Sequence, residues 1–383
     1  MRIRKFDPQK FFLSLIYLVS SDHGYPSALR KAWADFDLHQ FEPVKSSLSK
    51  IRQKISYRFF EEIFAEMTRA ARYRKTYRGL FVYAVDGHET TLPASEQVLA
   101  DGFRGRARMR RKETYYPRMY LSEMFDVINE LTVSIEHNAT RNENRDALKL
   151  LEEAEKNSLT IYDRAYLCRD LLNAHFEKGS FFLFRCRSGA TFKEVRDFYK
   201  SRKEKAKWTY SGQVIRLVKI RNPRTKQKMV LATNLPRSWK EEELKNLYQK
   251  RWSIETSYRD AVYQGLDHWH SKSQNGILQE LYARLCLMNF ARIQILRSLK
   301  ASDIDPLGTK YRKTNFKLLV NCVIDLIPLL LRGQLRKALE RINDVIRRNR
   351  QARERLTRNY PRAIKASRKT AYPRLNVIKR RPQ

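Results

Sequence analysis

Acidic residues are scarce beside basic ones: 41 Asp and Glu stand against 78 Lys and Arg in 383 residues, a formal net charge of +37. An excess of that size over a whole chain calls for a polyanionic partner, because self-repulsion otherwise opposes the compact state. Nucleic acid is the first candidate. Membrane surfaces also attract basic chains, but the sequence lacks any run of about 18 apolar residues, which argues against a membrane span. FFLSLIYLV at 11–19 comes after a basic start, yet no small-residue cleavage site comes after it, so a secretory leader is not expected. Cysteine is sparse as well. Cys168, Cys186, Cys286 and Cys322 are scattered and lack the close pairing of zinc sites, which leaves reduced core thiols in a cytoplasmic protein.

The residues that are present suit a globular chain. A hydrophobic content of 42% over this length can bury a substantial core, with two or three domains as the length expectation. Residues 1–76 read as short helices, with Ser46 or Ser47 as a cap, joined by turns at Gly24, Pro26 and Pro43. They suit either a DNA-binding module or a helical cap over the next domain, although no clear helix-turn-helix pattern is present. LFVYAVDG at 80–87 switches to a buried strand ending at Asp86, or else to a hairpin turn at Asp86-Gly87. FRGRARMRRKETYYPR at 103–118 concentrates Arg104, Arg106, Arg108, Arg110, Arg111 and Lys112 in what reads as a loop, suited to a phosphate backbone.

Two strands come next at 119–128 and 131–138, then a helix at 143–156, a strand at 158–162 ending in Asp163, a helix stopped by Gly179, and a strand at 180–187. Residues 188–237 read as a β insertion. Ser238 and Glu241 then form an expected capping box for one helix to Gly265, placing Tyr248, Arg251, Glu255, Arg259 and Val262 on one face. Leu244, Leu247, Ile254, Tyr258 and Ala261 form the adjacent apolar stripe. Residues 238–300 complete the α/β unit that begins at 77–187, 301–346 read as C-terminal helices with Pro328 ending or kinking one, and 347–383 as a basic tail expected to contact DNA.

Asp86, Asp163 and Glu255 stand out by context. Strand ends at one sheet edge, with a helix packed across it, can gather three carboxylates. An all-oxygen set without His or Cys selects Mg²⁺ or Mn²⁺, and two such ions about 4 Å apart suit phosphodiester cleavage and transfer. His268-Trp269-His270 lacks companion ligands and reads as a polar loop near DNA.

These blocks carry a resemblance. Asp86 in VDGHETTLP, Asp163 in YDRAY and Tyr248-x2-Arg251-x3-Glu255 resemble the acidic blocks of bacterial DDE transposases of the insertion-sequence-four family. SSLSKIRQKISYRFFEEIF at 46–64 and LATNLP at 231–236 are similar to further stretches of that family. The resemblance implies an RNase H-like α/β domain, a mixed sheet flanked by helices, with a β-strand insertion and helical N- and C-terminal regions. It implies Asp86, Asp163 and Glu255 as ligands of two Mg²⁺ or Mn²⁺ ions, with Asp86 bridging both. It also implies Tyr248 and Arg251 as phosphate contacts, and cut-and-paste excision and insertion, often through a hairpin. Expected partners are double-stranded DNA, as terminal inverted repeats and target, and a second copy of the chain on paired ends, with action at the nucleoid in the cytoplasm. The family carries a Lys seven residues after the Glu; here that position is Val262, and Arg259 is the residue able to supply the charge. Family members that flip a base hold it with an aromatic of the insertion; the sequence does not identify that residue, since the expected strand position holds Met229 and Trp208 is a candidate elsewhere. Two alternatives stay open: a DNA-binding protein that keeps the fold without catalysis, and a general RNase H-like nuclease.

Overall fold

The computed structural model describes residues 8–20, 24–35, 45–71, 74–103, 106–109, 112–115, 117–221, 228–263, 265–298 and 312–352. Helices α1 (Pro8–Ser20), α2 (Tyr25–Ala34), α3 (Lys45–Lys54) and α4 (Arg58–Arg69) open the chain. The α3 helix begins ahead of both serines expected to cap it. Next come β1 (Phe81–Thr91), α5 (Glu96–Ala100), β2 (Arg106–Met109), β3 (Lys112–Tyr115), β4 (Arg118–Asp126) and β5 (Leu131–Asn138). Then α6 (Glu143–Glu153), β6 (Ser158–Tyr162), α7 (Arg169–Lys178), β7 (Phe181–Cys186) and α8 (Lys193–Lys200) alternate. The insertion supplies β8 (Lys205–Tyr210), β9 (Gln213–Arg221) and β10 (Lys228–Thr233). Helices α9 (Glu241–Lys250), α10 (Trp252–Tyr263) and α11 (Gln274–Ser298) come after it, then β11 (Arg312–Thr314), α12 (Phe316–Leu331), α13 (Leu335–Arg348) and β12 (Arg350–Ala352).

One eight-stranded sheet runs β5-β4-β1-β6-β7-β10-β9-β8. Its first half is an antiparallel meander, β5-β4-β1, joined to β6 and β7 by parallel pairing. Strand order and directions are those of an RNase H-like core, as expected. The inserted strands extend that sheet, β10 pairing antiparallel with β7. Ser211 and Gly212, at φ 48° and 75°, form the two-residue turn between β8 and β9, where positive φ suits the twist of a hairpin.

Side-chain alternation sorts the faces. Tyr83 and Val85 of β1 lie in a core with Leu150, Leu171 and Val195 of α6, α7 and α8. Val82 and Ala84 lie in the opposite core with Leu244, Leu247 and Ile254 of α9 and α10. A third core joins the N-terminal helices to the C-terminal ones: Leu15, Leu29 and Phe60 share it with Leu281, Val323 and Ile342 around α11. The described helices of regions 1–76 and 301–346 thus pack together, each fully buried aliphatic or aromatic side chain contributing roughly 1.5–3 kcal/mol. Gly179, at φ 69°, ends α7 in the left-handed conformation that favours glycine.

Three local expectations are corrected. Residues 106–115, read as loop, form the β2–β3 hairpin in their described part. The tail does not begin at 347: α13 runs to Arg348 and β12 pairs with β11, while residues 353–383 lie outside the described set. Of the two roles expected for Pro328, ending its helix is excluded: it lies inside α12, which ends three residues later at Leu331.

Candidate active site

Asp86 is not at a strand end. The β1 strand continues through Gly87 to Thr91, paired with β4 as far as Arg118, so the Asp86-Gly87 hairpin is excluded. Alternation places Asp86 on the face of Val82 and Ala84, toward α9 and α10. Gly87 is close-packed on the other face, where an added Cβ would stand 2.8 Å from the Glu143 Oε1. Asp163 comes directly after the last residue of β6 and accepts the Arg164 N–H at 2.6 Å.

The expected single helix from 238 to 265 is two helices. No side chain caps α9, whose N-cap is Lys240; Glu241, Glu242 and Glu243 instead place negative charge in its first turn, which favours the helix dipole. The chain turns at Arg251, where three-residue hydrogen bonds run from the Arg251 N–H to Tyr248 and from the Ile254 N–H to Arg251. Gly265, at φ 89°, lies just beyond α10. The apolar stripe is buried as expected at Leu244, Leu247, Ile254 and Ala261.

That turn aims Arg251 at the sheet. Its guanidinium donates to Asp86 Oδ2 at 3.1 Å and to Glu255 Oε1 at 2.9 Å. Tyr248 donates its hydroxyl proton to Asp163 Oδ1 at 3.3 Å, one turn earlier. Tyr258 donates to the Asp86 carbonyl at 2.7 Å and stacks on His88, fixing the backbone beneath the carboxylate. Three acids from distant segments therefore converge on one Arg-Tyr pair. Burial pushes the Asp86 carboxyl up to about 6; Arg251 and the Gly87 N–H counteract this, and the Glu255 and Asp163 charges add to it. Burial disfavours the Arg251 charge, but Tyr248, Asp86 and Asp163 outweigh it and raise its pKa.

Other residues of the site do not stand out in the sequence. Glu123 lies opposite Asp86 in the antiparallel register, fully buried, accepting the Thr132 hydroxyl at 2.6 Å; burial pushes its carboxyl up to about 7. Arg185 hydrogen-bonds Tyr248 from β7. Tyr166 is 1% exposed, with a hydroxyl lacking a partner among the described residues, in the field of Asp86, Glu143 and Asp163. The available signal was a charged residue inside an apolar strand, as in LSEMF and FLFRC. Trp252, 49% exposed beside Arg251, is the large aromatic left open at the site.

A model of the transposase DDE domain matches residues 81–290, which contain every one of these acids. The chain belongs to the DDE transposase family. Among curated proteins, it is similar to the transposase InsG of insertion sequence element IS4 from Escherichia coli, 24% identical over 272 residues. That stretch covers 66% of this chain and 61% of the relative, so the chain spans less than two thirds of it. Among solved structures, the piggyBac transposase synaptic complex with hairpin DNA is similar at a TM-score of 0.47 and 13% identity, covering 88% of this chain and 75% of that one. The resemblance read from the acidic blocks is borne out at the level of the family.

The other residues expected to assist this DDE site differ in setting. Arg259 is exposed on α10, while Val262 packs against the helical core. Arg106, Arg108 and Lys112 belong to the β2–β3 hairpin; Arg104, Arg110 and Arg111 lie outside the described residues. Trp208 cannot take a base as it stands: it is 3% exposed and packed on Phe192 and Tyr210. Met229 packs against the core beneath α9. Nor is His268-Trp269-His270 an open polar loop, since Trp269 is buried and donates to Thr90, and His270 donates its backbone N–H to buried Glu280. All four cysteines are free thiols. No described helix is long and apolar enough to cross a membrane.

Among the described residues no three Asp, Glu, His or Cys groups are close enough to enclose a metal ion as placed. The Arg251 guanidinium bridges Asp86 and Glu255, one positive charge set between two carboxylates. The donor set is nonetheless that of a hard divalent cation: carboxylate oxygens alone, one of them buried and incompletely neutralised.

Proposed function

We propose that this chain is a DNA transposase that excises and inserts an insertion sequence by metal-dependent phosphodiester hydrolysis and strand transfer. The observation that carries the reading is the convergence of Asp86, Asp163 and Glu255 on Tyr248 and Arg251. Asp86, Asp163 and Glu255 would hold two Mg²⁺ or Mn²⁺ ions, which when bound supply Lewis-acid stabilisation of the reacting phosphate and activation of the attacking hydroxyl. Arg251 leaves its two carboxylates and offers its guanidinium fork to phosphate oxygens. Tyr248 turns its hydroxyl from Asp163 to the same phosphate, and Tyr258 keeps Asp86 in place through the backbone. The partners are double-stranded DNA, at terminal inverted repeats and target, and a second copy of the chain on paired ends at the nucleoid.

Purified protein with Mg²⁺ is expected to cut DNA bearing its own element's ends, with Asp86→Ala, Asp163→Ala and Glu255→Ala each abolishing cutting and keeping DNA binding. Undiminished cutting by all three variants would sink the assignment. Val262 favours a second reading, a transposase-derived DNA-binding protein: the family's lysine position is spent on core packing and supplies no charge. DNA binding without metal-dependent nicking by the unaltered chain would select it. Cutting that ignores end sequence would instead select a general nuclease.

A further inference from the structure

The inserted strands carry a basic cleft that the acidic site does not use. Alternation puts Ala206, Trp208 and Tyr210 of β8 into the core under α8, so Lys205 and Lys207 stand on the opposite face, the one that carries α9. Lys207 is in register with Arg216 of β9, whose guanidinium is spent on the carbonyls of Leu235, Pro236 and Trp239. Arg237 and Lys240, both exposed, close the cleft ahead of α9. Its volume is about 730 Å³, and Glu241, ion-paired with Lys205, is the one acid among its described lining residues.

Register ties this cleft to the acidic site. From Lys207 the ladder crosses Arg216, Thr233 and Leu183 to Ile161, two residues short of Asp163. Four strand spacings and two residues along β6 separate Lys207 from Asp163 by roughly 20 Å. Arg185 lies between them on the same face, bonded to Tyr248. Along duplex DNA at 3.4 Å per base pair, that distance is about six base pairs. Sheet twist of about 20–25° per strand turns the cleft relative to the acids by roughly 90° over the four steps.

We propose that Lys207, Arg237 and Lys240 form a second anchor for the phosphate backbone of the DNA being cut, about six base pairs from the reacting phosphate. The proposal rests on the DNA-transposase reading for the identity of the polyanion. Its role is to fix the duplex and leave the chemistry to the acids.

The test is the salt dependence of binding to a random-sequence duplex of about 30 base pairs, read by fluorescence anisotropy, for the unaltered chain and Lys207→Ala/Arg237→Ala/Lys240→Ala. Loss of three phosphate contacts lowers the slope of log K against log salt by about 2.7. A charge-matched control on α12 and α13, Lys317→Ala/Lys337→Ala/Arg341→Ala, is expected to change it by less than about 1, and thermal midpoints verify that both variants fold. On DNA bearing the element's ends, hydroxyl-radical protection about six base pairs from the cut disappears in the first variant. An unchanged slope, an equal drop in the control, or protection lost elsewhere overturns the proposal. Should the unaltered chain bind no duplex, both this proposal and the transposase reading fall; tight binding with an unchanged slope fells this one alone.

Discussion

Arg251 reaches across 165 residues of sequence to donate a hydrogen bond to Asp86 at 3.1 Å, while bonding Glu255 on its own helix at 2.9 Å. It is 4% exposed, so this is a buried cation shared by two acids that the proposed chemistry needs for a metal. Arg251 is their counterion here; under the proposed function its charge would pass to phosphate once DNA and metal bind.

Replacing Arg251 by Ala leaves Asp86 and Glu255 facing each other without a counterion. Breaking a buried ion pair from one side costs about 3–5 kcal/mol, and a smaller loss is expected here because Glu255 is half open to water. Millimolar Mg²⁺ should then raise the thermal midpoint of Arg251→Ala more than that of the unaltered chain. Equal shifts would separate Arg251 from the cation site.

Asp86 carries a pH signature. Its folded-state pKa, about 6, is above the ordinary 3.8, so the folded state holds the proton more tightly. That contribution to stability is present below pH 4 and is lost as pH rises through about 6. Asp86→Asn should therefore be more stable than the unaltered chain at pH 7 by about 1–3 kcal/mol, and their difference should vanish below pH 4. Denaturant unfolding at both pH values checks this; a less stable Asn variant at pH 7 would contradict it.

The opposite sign applies to Glu280. It is fully buried, and although burial alone would raise its pKa, Arg52, His270 and Arg284 hold it down to about 2. Its contribution is present above the ordinary value of 4.5 and is lost as pH falls toward 2. Arg52 donates to Glu280 at 2.8 Å and to Gln279 at 3.0 Å, tying α3 to α11. Arg52→Met should cost about 3–5 kcal/mol in denaturant unfolding at pH 7. A cost below about 1 kcal/mol would show that the remaining partners suffice.

Val262 offers a direct comparison with the family pattern. Since its side chain packs on the helical core, Val262→Lys should lower stability by about 1–2 kcal/mol and bring no gain in cleavage. Arg259→Ala should reduce cleavage and leave stability within about 0.5 kcal/mol, as expected for an exposed residue. Faster cutting by Val262→Lys would mean that the lysine can reach the site after all.

Much of the catalytic half was legible because its signals are local. Strands β4 to β7 are apolar runs bounded by turn residues, Gly179 stops a helix, and Asp163 comes directly after a strand. The apolar run LFVYAVDG predicts a strand end at Asp86 because an acid and a glycine close it, but pairing with β4 carries the strand past it. The break at Arg251 left no trace in residue types: it involves no Gly or Pro, only a turn whose guanidinium is held by tertiary partners. Trp208 looked available because β-strand alternation does not say which face a later helix will cover; α8 and Phe192 bury it. The joining of N- and C-terminal helices around α11 depends on contacts between segments more than 200 residues apart, such as Tyr57 with Asn275 and Tyr282 with Glu61.

Under the proposed function Asp86, Asp163 and Glu255 form one divalent-cation site that Arg251 occupies electrostatically in the free protein. Mn²⁺ binding monitored by electron paramagnetic resonance tests it without reference to any DNA sequence. Saturable binding by the unaltered chain is expected, with loss or at least tenfold weakening in Asp86→Ala, Asp163→Ala and Glu255→Ala, and tighter binding in Arg251→Ala. Binding unchanged in all three acid variants would contradict it.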